Sequence, residues 1–443
     1  MDPTTCTCHV AAIPYPGRGH INPMFNFCYL LASRRDDVLI TFVLTQEWLG
    51  FIGSDPKPPN LRFFSIPNVI PSELVRAADF PGFFEAVMTK MEDPCERLLD
   101  RLKPPVTAIV ADTFLFWAVG MGNRRNIQVA SLWPMSVSEF YHLHNLIVQA
   151  QNSPTDMSEQ REEHSDLKKN KQIFGRLKEA FSWVQKAQLL LLTSIYELEA
   201  QVIDALKAKF SFPIYSLGPL IPYFKLGHSS IPIPSYQSNN SGCLEWLDSQ
   251  RLASVLYISL GSFLSVSSAQ MDEIAVGLQQ SGVRFLWVVH GEAARIKDIC
   301  GEMGMVVAWC DQLRVLSHDS VGGFWSHCGW NSVVEGVFSG LPFLTFPISM
   351  DQHCNGNLIV EDWKIGWRVR RELGKEVLVK RDEIACLVKK FMDLESNEGN
   401  EMRRRARELQ GICQQAITKG ESSYTNLDAF ARDIHNAATV EAG

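Results

Sequence analysis

The stretch Gly322-Gly323-Phe324-Trp325-Ser326-His327-Cys328-Gly329-Trp330-Asn331-Ser332 shows in miniature how the chain is built. Val321–Trp325 reads as a short buried strand, a glycine-bearing polar turn follows, and a helix is expected from about Trp330 to Ser339. Strand, turn and helix start, in that order, offer an anion unpaired backbone N–H groups and the positive end of a helix dipole. Asn331 and Ser332 add side-chain donors, and His327 stands where it can donate to a phosphate oxygen. The set reads as a metal-free cradle for a diphosphate. Glu335, one turn along the same helix, is placed to accept from both hydroxyls of a ribose. Upstream, Trp309 offers a flat ring to a base. Downstream, Asp351 and Gln352 put a carboxylate beside an amide, which suits the vicinal hydroxyls of a sugar. Taken singly, Trp309 reads as a core tryptophan and His327-Cys328 as a packed pair; the ensemble is what argues for a nucleotide.

Outward from this segment, short β-branched runs alternate with helical patterns almost from end to end. Val10–Ile13, Val38–Val43, Leu61–Ile66, Thr107–Val110 and Leu189–Thr193 read as buried parallel strands, with helices between them such as Met24–Ser33, Phe83–Leu102 and Trp133–Ala150. A Pro/Gly/Ser/Asn-rich stretch from Ile214 to Gly242 breaks the rhythm. Strands resume at Val255–Ser259, Phe285–Val289, Met305–Ala308, Val321–Trp325 and Phe343–Phe346. The pattern predicts two doubly wound α/β domains with a cleft between them and ligands at the carboxyl ends of the strands. The expected division is 1–235, 236–415 and a closing segment, 416–443, holding an amphipathic helix over Ser422–His435. Gln151–Lys171 reads as a polar surface excursion. Arg403–Arg407, flanked by Glu401 and Glu408, reads as a solvated helix face.

The chain has 443 residues, 46% hydrophobic and 21% charged, with a net charge of −7, which argues against a nucleic-acid partner. No basic segment followed by an apolar run opens the sequence, and no apolar stretch is long enough to span a bilayer. Eleven cysteines in such a chain read as reduced thiols, so a cytoplasmic location is expected. Cys6 and Cys8 have no nearby residues to complete a metal site, and His327-Cys328 lacks any partner pattern for zinc. Neither a full G-x-G-x-x-G nor a G-x-S-x-G is present, which weighs against a Rossmann oxidoreductase and a serine hydrolase.

In the first half, strand Val10–Ile13 runs into Pro14-Tyr15-Pro16-Gly17-Arg18-Gly19-His20-Ile21-Asn22-Pro23. The glycines suggest a tight turn, Asn22-Pro23 suggests a helix start, and His20 is expected on the loop at the strand's carboxyl end. Asp112 follows Thr107–Val110 at another strand end. It can cap the next helix, or it can meet the His20 imidazole as a base-plus-orienter pair. Among many aromatic residues that belong to a core, Phe114 and Phe140 are the candidates for lining an acceptor pocket.

Trp309–Gln352 resembles the signature box of the plant family 1 UDP-glycosyltransferases. It matches at Trp309, at His327-Cys328-Gly329-Trp330-Asn331-Ser332, at Glu335, at Pro342 and Pro347, and at Asp351-Gln352. The resemblance extends over essentially the whole chain. It implies a GT-B fold, inversion at the anomeric carbon, and no metal or other cofactor, and the chain contains no Asp-x-Asp. It further implies that Trp309 stacks on uracil and Cys310 bonds it through backbone. Ser262, His327, Asn331 and Ser332 would hold phosphates, at the helix start marked by Trp330. Glu335 would hold ribose, Asp351 and Gln352 the sugar, and His20 with Asp112 would be catalytic. UDP-glucose and a flavonoid, other phenolic, terpenoid or hormone-like alcohol are the implied substrates, with a monomer as the working unit. Ser349-Met350 departs from the family pattern, where an aromatic residue is common near the sugar.

Overall fold

The computed structural model describes residues 8–152, 170–226, 241–261, 266–370 and 378–440. Most of the excursion expected over Gln151–Lys171, together with Cys6, Ser262 and the middle of the Pro-rich stretch, lies outside them. The chain divides into two compact units, one holding Met1–Pro222 and Gln415–Gly443, the other Ser235–Gln414.

The first unit is built on seven parallel strands: β1 (Cys8–Ile13), β2 (Val38–Thr45), β3 (Leu61–Ile66), β4 (Ala108–Asp112), β5 (Gln128–Trp133), β6 (Leu189–Leu192) and β7 (Ile214–Ser216), in the order 3-2-1-4-5-6-7. The second has six: β8 (Val255–Ser259), β9 (Arg284–Val288), β10 (Gly304–Val307), β11 (Val321–Ser326), β12 (Phe343–Thr345) and β13 (Gly366–Arg368), in the order 10-9-8-11-12-13. All neighbours are parallel, so helices must cross over on both faces and the central strands are buried and mostly apolar; every residue of β1 is buried. Strand order reverses between β1 and β4 in one sheet and between β8 and β11 in the other. Those two reversals are where such sheets open a crevice at their carboxyl ends. Ile13 pairs with Ala111 in register, which sets Asp112 at the mouth of the first crevice.

Several elements differ from the expectation. The first helix runs Arg18–Arg34, so Pro23 lies inside it and His20 stands in its first turn, not on a loop. The turn closes early, with the N–H groups of His20 and Ile21 both donating to the Gly17 carbonyl. Phe83–Leu102 is two helices, Phe80–Lys90 and Glu92–Leu99. Trp133 ends β5, and the helix expected from it starts at Val137. Within Arg403–Arg407, Arg404 and Arg405 do pair with Glu401 and Glu408. Arg403 is buried and donates to the carbonyls of Phe391 and Asp393, closing the end of the preceding helix.

The C-terminal helix Ser422–Val440 belongs to the first unit. Phe430 packs edge-on to Phe27 at 5.6 Å, Tyr215 donates to Asp433 at 2.5 Å, and Asn426 donates to the Ser216 carbonyl at 2.9 Å.

Candidate active site

In the first unit, His20 Nδ1 lies 2.7 Å from Asp112 Oδ2. The Asp112 carboxylate is buried, and its second oxygen accepts the Phe114 N–H at 3.0 Å. One oxygen thus holds the turn after β4, short of capping the helix Phe116–Arg124, whose start has no side-chain cap, and the other meets the histidine. With Nδ1–H donating to a carboxylate, Nε2 is left as the basic nitrogen. The ring is braced by aromatic neighbours, Tyr15 at 4.9 Å and Phe114 at 5.6 Å between centroids, and remains partly open. Phe114 in turn touches Phe84 and Trp133 at the margin of the core. Phe140 does not fit the role expected for it. Its side chain is wholly buried among Trp133, Phe181 and Phe210, because it stands on the face of the helix Val137–Asn152 that closes the core.

In the second unit, the helix Trp330–Phe338 begins at Gly329, whose extended backbone supplies no side-chain cap. Its first N–H groups consequently lack a capping partner from that position. Just before it, Cys328 adopts φ of +66°, a conformation a buried side chain enters only when the surroundings impose it. Here Ser326 Oγ accepts the Cys328 N–H at 3.0 Å and Asn355 donates to its carbonyl at 2.9 Å. The His327 imidazole is wedged between two glycines. A β-carbon on Gly329 would lie 2.5 Å from its Nε2, and one on Gly261, at φ of +90°, would lie 2.9 Å from its Cδ2. Desolvation lowers His327 to about 4, opposed by a hydrogen bond to the Ser259 backbone, so the ring is neutral. Trp330 itself is buried and packs against Trp363.

Glu335 accepts from Gln312 Nε2 at 2.7 Å, and the same amide donates to Ser332 Oγ at 3.0 Å. Gln312 Oε1 accepts in turn from the buried Tyr257 hydroxyl, which lies 3.3 Å from Cys310 Sγ. Desolvation pushes the Glu335 carboxyl up to about 7, Gln312 pulling against it. Trp309 is half exposed, 53%, on the rim beside this network, unusual for a tryptophan and suited to a stacked base. Sequence reasoning missed Gln312 and Tyr257. Gln312 opens a short helix three residues past Trp309, and Tyr257 is hidden in a strand that reads as purely apolar.

Past β12, Asn355 donates to Asp351 Oδ2 at 2.7 Å. Gln352 Oε1 accepts the N–H groups of Ile348 at 2.8 Å and Ser349 at 3.1 Å. The amide oxygen thus holds its own loop, in which Met350 takes φ of +57°.

The family model for UDP-glucoronosyl and UDP-glucosyl transferases matches residues 237–403. The chain is 48% identical to UDP-glycosyltransferase 87A1 of Arabidopsis thaliana over 442 residues, spanning 95% of this chain and 99% of that protein. It is likewise 48% identical to UDP-glycosyltransferase 87A2 of the same plant over 454 residues, 97% of each. Among solved structures, UGT71G1 of Medicago truncatula complexed with UDP-glucose superposes with a TM-score of 0.78 at 25% identity, covering 97% of this chain and 98% of that one. Os79 of O. sativa in complex with UDP gives 0.83 at 24% identity over 96% and 100%, a likeness of fold. Similarity of this depth along nearly the whole length, on two parallel α/β sheets, makes the chain a member of the plant family 1 UDP-glycosyltransferases, an enzyme of GT-B fold that transfers a glycosyl group from a UDP-sugar.

Proposed function

We propose that the protein moves glucose from UDP-glucose, with inversion at the anomeric carbon, onto a hydroxyl of a small apolar acceptor of the phenolic, terpenoid or hormone-like kind. The observation that carries this reading is the 2.7 Å bond from His20 Nδ1 to buried Asp112, which leaves a basic Nε2 beside an aromatic wall of Tyr15 and Phe114. Nε2 removes the proton from the acceptor hydroxyl as its oxygen attacks the anomeric carbon, and Asp112 stabilises the imidazolium that forms. A single displacement by a neutral oxygen nucleophile inverts the centre. The departing UDP gathers charge on its diphosphate, which the start of Trp330–Phe338, with no side-chain cap of its own, and His327 would meet without a metal. Ser262, just past β8, would add a hydroxyl to the same phosphates. Glu335 and Gln312 would hold the ribose and Trp309 the base, with the Cys310 backbone at the base edge.

Glucose is favoured by Gln352, whose amide NH₂ is fixed in direction by the bonds its oxygen makes. A donor aimed at one hydroxyl geometry is left unpaired by the epimer, and that is where discrimination arises. The cysteines of the described residues are free thiols, almost all buried, which supports a reducing, cytoplasmic setting. No helix among the described residues is long and apolar enough to cross a membrane. We read the working enzyme as a monomer needing no cofactor.

The test is a competition between UDP-glucose and UDP-galactose over a panel of phenolic and terpenoid alcohols, with products separated and weighed by mass spectrometry and chromatography. Glucosides should dominate, and Gln352→Ala should narrow the gap. Equal use of the donors, or preference for galactose or a glucuronate donor, would overturn the donor assignment.

A further inference from the structure

The turn that carries His20 leans on a charged group from elsewhere in the first unit. Arg76 follows the single helical turn Glu73–Val75 after β3 and is 8% exposed. Its Nη1 lies 3.2 Å from Glu73 Oε2, and the guanidinium stands over the Phe83 ring at 5.8 Å. Nη1 also presses so closely on the α-carbon of Gly17 that a β-carbon there would collide with it. Gly17 has an extended backbone, φ of −155°, so left-handed geometry is not the reason for glycine at this place. The reason is room for the guanidinium.

Gly17 is the residue whose carbonyl receives the His20 and Ile21 N–H groups, and its own N–H donates to Tyr15, whose ring braces His20. On the far side, Glu47 of the helix Gln46–Ile52 accepts the Ser72 hydroxyl and the Glu73 N–H, fixing the segment that carries Arg76. A continuous path therefore runs from Glu47 through Glu73 and Arg76 to Gly17 and His20.

We propose that Arg76, held by Glu73, is a positioning residue for the reaction: it buttresses the Gly17 turn that aims His20, and the pair sets the local charge beside the dyad. This rests on His20 being the base. Desolvation pushes Glu73 up to about 7, and the groups facing it are Arg76, Arg18 and His20 of the first helix, and Glu47. The carboxylate is charged above that pH and offsets the guanidinium; below it the guanidinium stands uncompensated.

Four variants test this: Gly17→Ala, Arg76→Met, Arg76→Lys and Glu73→Gln. Gly17→Ala and Arg76→Met should each lower kcat roughly 10–100-fold, the scale of a small misplacement of a reacting group. Their affinity for UDP should be unchanged. The double variant should be no worse than either single one, because the collision disappears with the guanidinium. Arg76→Lys should recover part of the loss. The acid limb of kcat/KM should move upward by about 0.5–1 pH unit in Arg76→Met and stay in place in Glu73→Gln, whose carboxyl is already protonated on that limb. A fold that is merely weakened would lower the melting temperature of all variants without that shift. Multiplicative losses in the double variant, or an acid limb that does not move in Arg76→Met, overturn the proposal. If His20→Ala keeps normal turnover, the underlying reading of the base has failed instead.

Discussion

Glu335 has its carboxyl pushed up to about 7 by desolvation while Gln312 donates to it. Ribose hydroxyls donating to the same group would favour the ionised form, so binding UDP should release a proton near neutral pH. The sign follows: affinity for UDP should be full above about 7 and fall as the pH drops through it. Titration calorimetry near pH 7 in buffers of different ionisation enthalpy reads the released proton directly, and a heat that does not depend on the buffer would count against the ribose role. Glu335→Ala should weaken UDP by about 1.5–3 kcal/mol with little change for the acceptor, the scale of a hydrogen bond to a charged group. At the other site, Asp112→Asn keeps the shape but cannot stabilise an imidazolium, so kcat should fall by roughly 10²–10⁴. Stopped assays of UDP release across the pH range measure that loss, and unchanged turnover would remove Asp112 from the mechanism. His20, Asp112 and Glu335 were legible because each follows a strand end or sits at fixed spacing in a dense motif. Gln312 was not, since a lone glutamine carries no signature until its partners are in place. Phe140 was misread because an aromatic residue just past a strand fills a core as readily as it lines a pocket.

Between Gly261 and Gly329 the His327 ring is gripped by backbone on both sides, and this clamp sits at the mouth of the helix Trp330–Phe338. Gly329→Ala should drive the imidazole out of place and raise the Kd for UDP at least tenfold, about 1.4 kcal/mol. Gly261→Ala should do the same with an added penalty for its positive φ. Wild-type affinity in both would show that the clamp does not matter. The closing helix Ser422–Val440 serves stability: Phe430→Ala should lower unfolding free energy by about 3–5 kcal/mol, readable in urea melts, through the cavity left beside Phe27 and Tyr215. Most strands were readable as β-branched runs bounded by turn residues. β7 and β13 were not, β7 because it opens the Pro-rich stretch read from Ile214 as a linker, and β5 was passed over, its last residue Trp133 being given to the helix that follows. The first helix started earlier than Pro23 suggested, because a proline near a helix start marks the region without fixing the first residue.

Each unit has its own parallel sheet and its own apolar core, so under the proposed function donor binding and acceptor activation would fall to different units of one chain. Lesions in one should spare the equilibrium property of the other. Chelation with EDTA should leave the rate untouched, since on the proposed reading N–H groups would meet the diphosphate; activity that vanished and returned with a divalent ion would contradict the metal-free cradle. Alternation of strand and helix along the sequence made this architecture readable as a whole, because parallel strands require crossovers and the box residues require a sheet to carry them. The most direct test is the anomeric configuration of the glucoside made from UDP-α-glucose, determined by proton NMR, with His20→Ala assayed alongside. The account predicts a β-glucoside from the wild type and almost no product from His20→Ala, which should still bind UDP normally; an α-glucoside, or undiminished turnover in the variant, would contradict it.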